Sequence, residues 1–201
     1  ITPAVRLNDA TDIWGYRGAS YREKPSIAFN TAKIESALKY SKLGLYSITF
    51  YNDLEKDLQN LNAYTQFRES ISGTEMDHFL EVFNPAFAIN TGDADIGAYI
   101  NDSIVRCLAG LESLDRPLFL KIQYNGARAM AELAEFDPTN LVVGILGGGA
   151  GTTRDTFELI EQASRFGARV ALFGRKIYKA EDSLEIVRLM RNIVEADLSA
   201  K

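Results

Sequence analysis

The chain has 201 residues, 46% hydrophobic and 24% charged, with 15 Gly and 5 Pro, a composition that excludes a disordered or collagen-like chain and suits one globular domain with a sizeable core. Its 22 basic residues against 27 acidic ones leave a net charge of -5, which supplies no broad cationic surface for a nucleic-acid backbone. No uncharged apolar run reaches the roughly 18 to 20 residues of a membrane helix, and no signal-peptide pattern follows Ile1, so the expectations are no nucleic-acid partner, no membrane and a cytoplasmic protein.

In chain order, residues 5–8 read as a first strand and 31–42 as a helix, followed by a strand over 45–50. Asp53 is a candidate N-cap for a helix whose apolar residues Leu54, Leu58, Leu61 and Ile71 mark its buried face. Strand 79–83 leads to a helix marked by Ile96, Ile100, Ile104, Leu108 and Leu111, and strand 118–122 to one marked by Met130, Leu133 and Ala134. Strand 141–146 is followed by a helix starting at Thr152 or Thr153, carrying Phe157, Ile160 and Ala163 and ending near Gly167. Strand 169–174 comes next, then a helix over 183–194 with Ile186, Val187, Met190 and Ile193, started by the capping-box-like pair Asp182 and Glu185. Cys107 stands alone, which excludes a disulfide and reads as a core residue; His78, the only histidine, has no second ligand at metal spacing, so no metal is expected.

Strands that are continuous apolar runs, alternating with amphipathic helices, indicate a parallel sheet covered by helices. An open doubly wound sheet and a closed barrel both fit that alternation. The glycine cluster Gly147-Gly148-Gly149-Ala150-Gly151 follows the fifth clear strand rather than the first, and a Gly-Arg pair ends the next strand, a barrel habit for holding phosphate. The expected fold is therefore α/β, a (β/α)8 TIM-type barrel in one domain over 1–201. With six strands read instead of eight, and Ile1 in place of Met, the chain is expected to lack its first one or two βα units.

Alternation over 118–123 puts Leu118, Leu120 and Ile122 on one face and Phe119, Lys121 and Gln123 on the other. In a barrel the aliphatic face meets the helices and Lys121 points inward, where loss of hydration favours the neutral, nucleophilic amine that forms Schiff bases. A lysine near a strand end can equally snorkel to solvent. The same parity turns Phe79, Glu81 and Phe83 inward, making Glu81 a candidate proton shuttle or one half of a buried ion pair. Gly147, Gly148 and Gly149 precede a helix and offer backbone amides to a phosphate, and Gly174-Arg175 adds a guanidinium fork. Asn8 and Asp9, Tyr51 and the loop 84–95 are weaker candidates for the rim.

These residues resemble a family. Lys121-Ile122-Gln123-Tyr124-Asn125-Gly126, Gly147-Gly148-Gly149 and Gly174-Arg175-Lys176-Ile177-Tyr178 with Glu181-Asp182 look like the last three strands of class I (Schiff-base) aldolases of the deoxyribose-phosphate, tagatose-bisphosphate and archaeal-type fructose-bisphosphate group. The resemblance implies a Schiff base on Lys121 and a substrate phosphate held by Gly147, Gly148, Gly149, Gly174 and Arg175. Phe79-Leu80-Glu81, with Phe83 where a tyrosine would stand, points to Glu81 as acid/base and to the tagatose-like branch. The implied activity is a cofactor-independent, metal-independent lyase acting on a phosphorylated ketose, in a homo-oligomer. A non-catalytic barrel binding a phosphorylated metabolite and a Schiff-base acyl transferase are the alternatives.

Overall fold

A computed structural model describes residues 2–9, 17–20, 23–147 and 151–195. The chain divides into two units, Ile1–Phe119 and Leu120–Lys201, and each holds three parallel strands. No helix among the described residues is long and apolar enough to cross a membrane.

The first unit contains β1 (Val5–Arg6), β2 (Asn8–Asp9), β3 (Phe29–Asn30), α1 (Ile34–Ala37), β4 (Leu43–Thr49), α2 (Leu54–Ile71), β5 (Asp77–Phe83) and α3 (Ile96–Leu108). β4 lies between β1 and β5, parallel to both, with Ser47 in register with Glu81 and Thr49 with Phe83. Leu118 and Phe119 add hydrogen bonds along β5, from the Leu118 amide to the His78 carbonyl and from the Leu80 amide to the Phe119 carbonyl. One face of the strands is apolar. Tyr46 stacks on Phe67 of α2 at 4.5 Å between ring centroids and tilts against Tyr64 at 5.1 Å. Ile48, Leu80 and Val82 are buried on that same side.

Three sequence expectations change here. The helix expected over 31–42 is only the short α1, which has no side-chain cap and buries Ala37 alone, so little apolar burial supports further turns. The first strand ends at Arg6; Asn8 and Asp9 turn away to pair antiparallel with β3. On α2 the buried residues are Asn60, Tyr64, Phe67 and Ile71, while Leu54 is 86% and Leu58 53% exposed. Aromatic rings fill the space against Tyr46 better than the leucines would, and that selects the helix face. Asp53 caps α2 as expected, accepting from the Lys56 amide.

The second unit contains β6 (Leu120–Ile122), α4 (Ala127–Phe136), β7 (Val143–Leu146), α5 (Thr153–Arg165), β8 (Val170–Leu172), α6 (Arg175–Tyr178) and α7 (Ser183–Val194). The order is β6-β7-β8, with Leu120 beside Val143, Lys121 beside Gly144, and Gly144 beside Val170. Met130 and Leu133 of α4, Ile160 and Ala163 of α5, and Ile186, Met190 and Ile193 of α7 are buried, following the expected helical spacing. Thr152 starts α5 with a full capping box to Asp155. At its far end Gly167 takes a φ of +104°, and a Cβ there would lie 2.5 Å from Ala134 Cβ. Asp182 caps α7 through the Leu184 and Glu185 amides, but the Glu185 carboxylate pairs with Arg188, so only half of the expected box forms. The last strand stops at Leu172, and Gly174-Arg175 opens the unexpected short helix α6.

Candidate active site

Parity along β5 holds as expected. Glu81 sits on the face opposite Leu80 and Val82, and it is only 2% exposed. Its Oε2 accepts from the Ser47 hydroxyl at 2.7 Å and from Arg6 Nη2 at 3.0 Å, while Arg6 Nη1 donates to the Ser47 hydroxyl at 2.7 Å. The three side chains thus close a ring across β1, β4 and β5. Asn8 supports it from the main chain: its amide donates to the Ser47 carbonyl and its carbonyl accepts from the Ser47 amide, both at 2.8 Å. Beyond the end of β1, where β2 pairs with β3 instead of β4, this side-chain amide substitutes for the missing backbone partner of β4. Arg6, Ser47 and Asn8 were missed as a set by sequence reasoning, although Arg6 in Val5-Arg6-Leu7 carries the same signal as Lys121, a charge within an apolar strand.

Other rim candidates resolve into packing. Tyr51 is 4% exposed, stacks on Phe87 at 5.7 Å and shares a 3.0 Å hydrogen bond with the Ser26 hydroxyl. The loop 84–95 is pinned: Asn52, at a left-handed φ of 56°, donates from its side chain to the Asn90 carbonyl, and its amide donates to the Tyr99 hydroxyl at 2.6 Å. Asp57 accepts from the Tyr51 amide at 2.7 Å, and burial raises its carboxyl above the ordinary range. His78 lies on the helix side of β5, where its Nε2 is 2.8 Å from the Tyr64 hydroxyl. Burial, with Arg68 nearby, lowers its imidazole to about 4. Burial also pushes the Cys107 thiol up to about 12, which suits a packing role and not a nucleophile.

In the second unit Lys121 is half-buried, with Leu120 and Ile122 buried on the opposite face. Its neighbour across the ladder is Gly144, which shares its face and was also missed by sequence reasoning. A Cβ on Gly144 would lie 2.7 Å from the Leu120 carbonyl oxygen and 2.9 Å from Val170 Cβ. Glycine is therefore required here by the closeness of the strands.

The glycine loop is partly described. Gly148 and Gly149 lie outside the described residues. The Gly147 amide donates to the Leu172 carbonyl at 2.9 Å, and a Cβ there would lie 2.4 Å from the Phe173 ring. The Gly147 amide, expected to face a phosphate, is thus engaged by the Leu172 carbonyl, and the absence of a side chain admits the Phe173 ring. The start of α5 is likewise occupied, because the Asp155 carboxylate accepts from the Thr152 amide at 2.6 Å, an interaction that lowers that carboxyl below the ordinary range.

Gly151 and Arg175 border one cleft of about 940 Å³, together with Thr153, Lys176 and Lys179; Lys121 and Gly147 are not among its lining residues. Lys176 Nζ donates to the Gly151 carbonyl at 2.9 Å, tying α6 to the end of the glycine loop. Arg175 is exposed and, among the described residues, has no side-chain partner. Gly174 has open space around the position of a Cβ.

No family model and no curated protein matches the chain. Solved structures do. A Schiff-base-forming fructose-1,6-bisphosphate aldolase studied through its reaction intermediates superposes with a TM-score of 0.70 at 19% identity, over 94% of this chain and 70% of that one. An archaeal fructose-1,6-bisphosphate aldolase with its catalytic lysine covalently bound to the carbinolamine intermediate gives 0.65 at 17% identity, over 94% and 69%. A protein from Corynebacterium glutamicum gives 0.62 at 20% identity, over 97% and 64%. The chain therefore has the fold of the archaeal-type Schiff-base aldolases over the strands it contains.

Proposed function

We propose that the chain acts as a class I aldolase on a phosphorylated ketose, with Lys121 as the Schiff-base amine, Glu81 as the proton shuttle, and Arg175, with Gly174 and the glycine loop, holding the substrate phosphate. The observation that carries this reading is the placement of Lys121 on β6, beside the side-chain-free Gly144, in a chain with the fold of Schiff-base aldolases. The neutral amine adds to the ketone carbonyl and water leaves, giving an iminium. The iminium draws in the electron pair of the breaking C–C bond, an aldehyde departs, and the resulting enamine is protonated and hydrolysed to release the second product and the free amine. Glu81 exchanges the protons, and phosphate contacts supply positioning. No metal or cofactor enters these steps.

The test is borohydride trapping in the presence of dihydroxyacetone phosphate or a ketose bisphosphate, followed by intact-mass measurement and peptide mapping. A reduced adduct on Lys121 that vanishes in Lys121→Met is expected. A folded protein that binds phosphate but traps no carbonyl compound refutes the aldolase reading and favours a metabolite-binding barrel. Products from a panel of sugar phosphates then separate aldol cleavage from acyl transfer, and fructose-like from tagatose-like stereochemistry.

A further inference from the structure

Glu81 is held in a way the proposed reaction does not by itself require. The last torsion of a glutamate side chain is broad and soft, so an unsupported carboxylate swings easily. In this chain the supports from Ser47 and Arg6 are directional. The Ser47 hydroxyl has one proton, and since its oxygen accepts from Arg6 Nη1, that proton is aimed at Glu81 Oε2. The same guanidinium donates to Oε2 through Nη2, so one planar fork sets both the hydroxyl and the carboxylate. Ser47 cannot drift, because Asn8 grips its backbone amide and carbonyl. As a stability device the arrangement is a poor one, since a buried ion pair returns little net energy after desolvation.

We propose that Arg6 is a positioning residue for Glu81, acting directly and through Ser47, so that the carboxylate is held in the orientation from which it exchanges protons in the reaction. The inference rests on the Lys121 and Glu81 reading given above. In the step concerned, the iminium on Lys121 loses a proton from the adjacent carbon. That proton goes to Glu81, the C–H electron pair forms the enamine double bond, and the iminium nitrogen becomes neutral. Adding the amine to the carbonyl and aiming the carboxylate are separable, and so are their assays.

The experiment follows two readouts on the full chain with dihydroxyacetone phosphate: borohydride trapping at Lys121, and exchange of the substrate's α-proton for deuterium by NMR. Arg6→Lys keeps the charge opposite Glu81 but not the fork, and Ser47→Ala removes only the hydroxyl, so neither strands a buried carboxylate without a cation. Both variants are expected to trap within about twofold of the parent, while exchange slows about tenfold to a hundredfold at saturating substrate, the scale of a misplaced catalytic group. The double variant is expected to be no slower than the slower single one, because both act through one ring. Exchange at the parental rate in Arg6→Lys and Ser47→Ala, with trapping intact, overturns the positioning role and leaves the Schiff base standing. Trapping and exchange lost together, with the fold intact by circular dichroism, also overturn it. A parent chain that traps nothing overturns the Lys121 reading and this inference with it.

Discussion

His78 makes the stability of the first unit depend on pH in a window set by its burial. Its imidazole lies at about 4, against 6.5 when exposed. Between those values the unfolded chain binds a proton that the folded chain does not, so stability is complete above about pH 6.5, falls as pH is lowered, and levels off below about pH 4. At about 1.4 kcal/mol for each factor of ten in proton affinity, the whole window amounts to roughly 3 kcal/mol, with about 2 kcal/mol lost by pH 5. Urea unfolding of the parent and of His78→Gln at pH 7.5 and pH 5 isolates this contribution, since the carboxylates titrate alike in both proteins. Glutamine keeps a polar partner for the Tyr64 hydroxyl, 2.8 Å from the ring nitrogen, but cannot be protonated. The parent is expected to lose about 2 kcal/mol more than the variant across that interval. Equal losses in the two proteins would refute the assignment.

Three further outcomes are expected. Asn8→Ala leaves the buried Ser47 amide and carbonyl without their 2.8 Å partners and should cost roughly 2 to 5 kcal/mol; a denaturation midpoint shifted by less than about 0.5 kcal/mol would contradict the bidentate clamp. Gly144→Ala sets a methyl 2.7 Å from one backbone oxygen and 2.9 Å from Val170 Cβ, atoms with no flexible end to yield, so a loss of about 1 to 3 kcal/mol in urea unfolding is expected. Arg175→Ala should raise KM for a ketose bisphosphate about tenfold to a hundredfold with kcat much less changed, as removal of a charge-assisted phosphate contact does; a KM within twofold of the parent would take Arg175 out of the phosphate site.

The parallel strands were legible as continuous apolar runs between helices, and the face Glu81 shares with Phe79 and Phe83 was legible because strand alternation is a strict period; α7 was read over its full extent because spacing and cap agreed. The face of α2 was misread, since the pattern Leu54, Leu58 and Leu61 is as regular as the buried one through Asn60, Tyr64 and Phe67. Hydrophobicity alone cannot choose between two stripes when aromatic stacking on another element decides. The Arg6 ring was invisible for a different reason. It joins residues 41 and 75 positions apart from Arg6, and no local pattern encodes which strands become neighbours. At Gly147 the glycine run was read as backbone amides offered to a phosphate, and no local pattern announces the Phe173 ring that leaves no room for a Cβ there.

That separation along the chain has a kinetic consequence. Arg6, Ser47 and Glu81 meet only after β1, β4 and β5 have been assembled, and each loop must close before any contact in the ring can repay it. Until then the Glu81 carboxylate stays hydrated, and its burial is a late event on the way to the native state. Stabilisation that arrives after the folding barrier slows escape from the native state more than it speeds arrival. Because a buried ion pair returns little net energy, the ring adds little to that delay: it marks the completed assembly of the first unit without itself holding the unit closed.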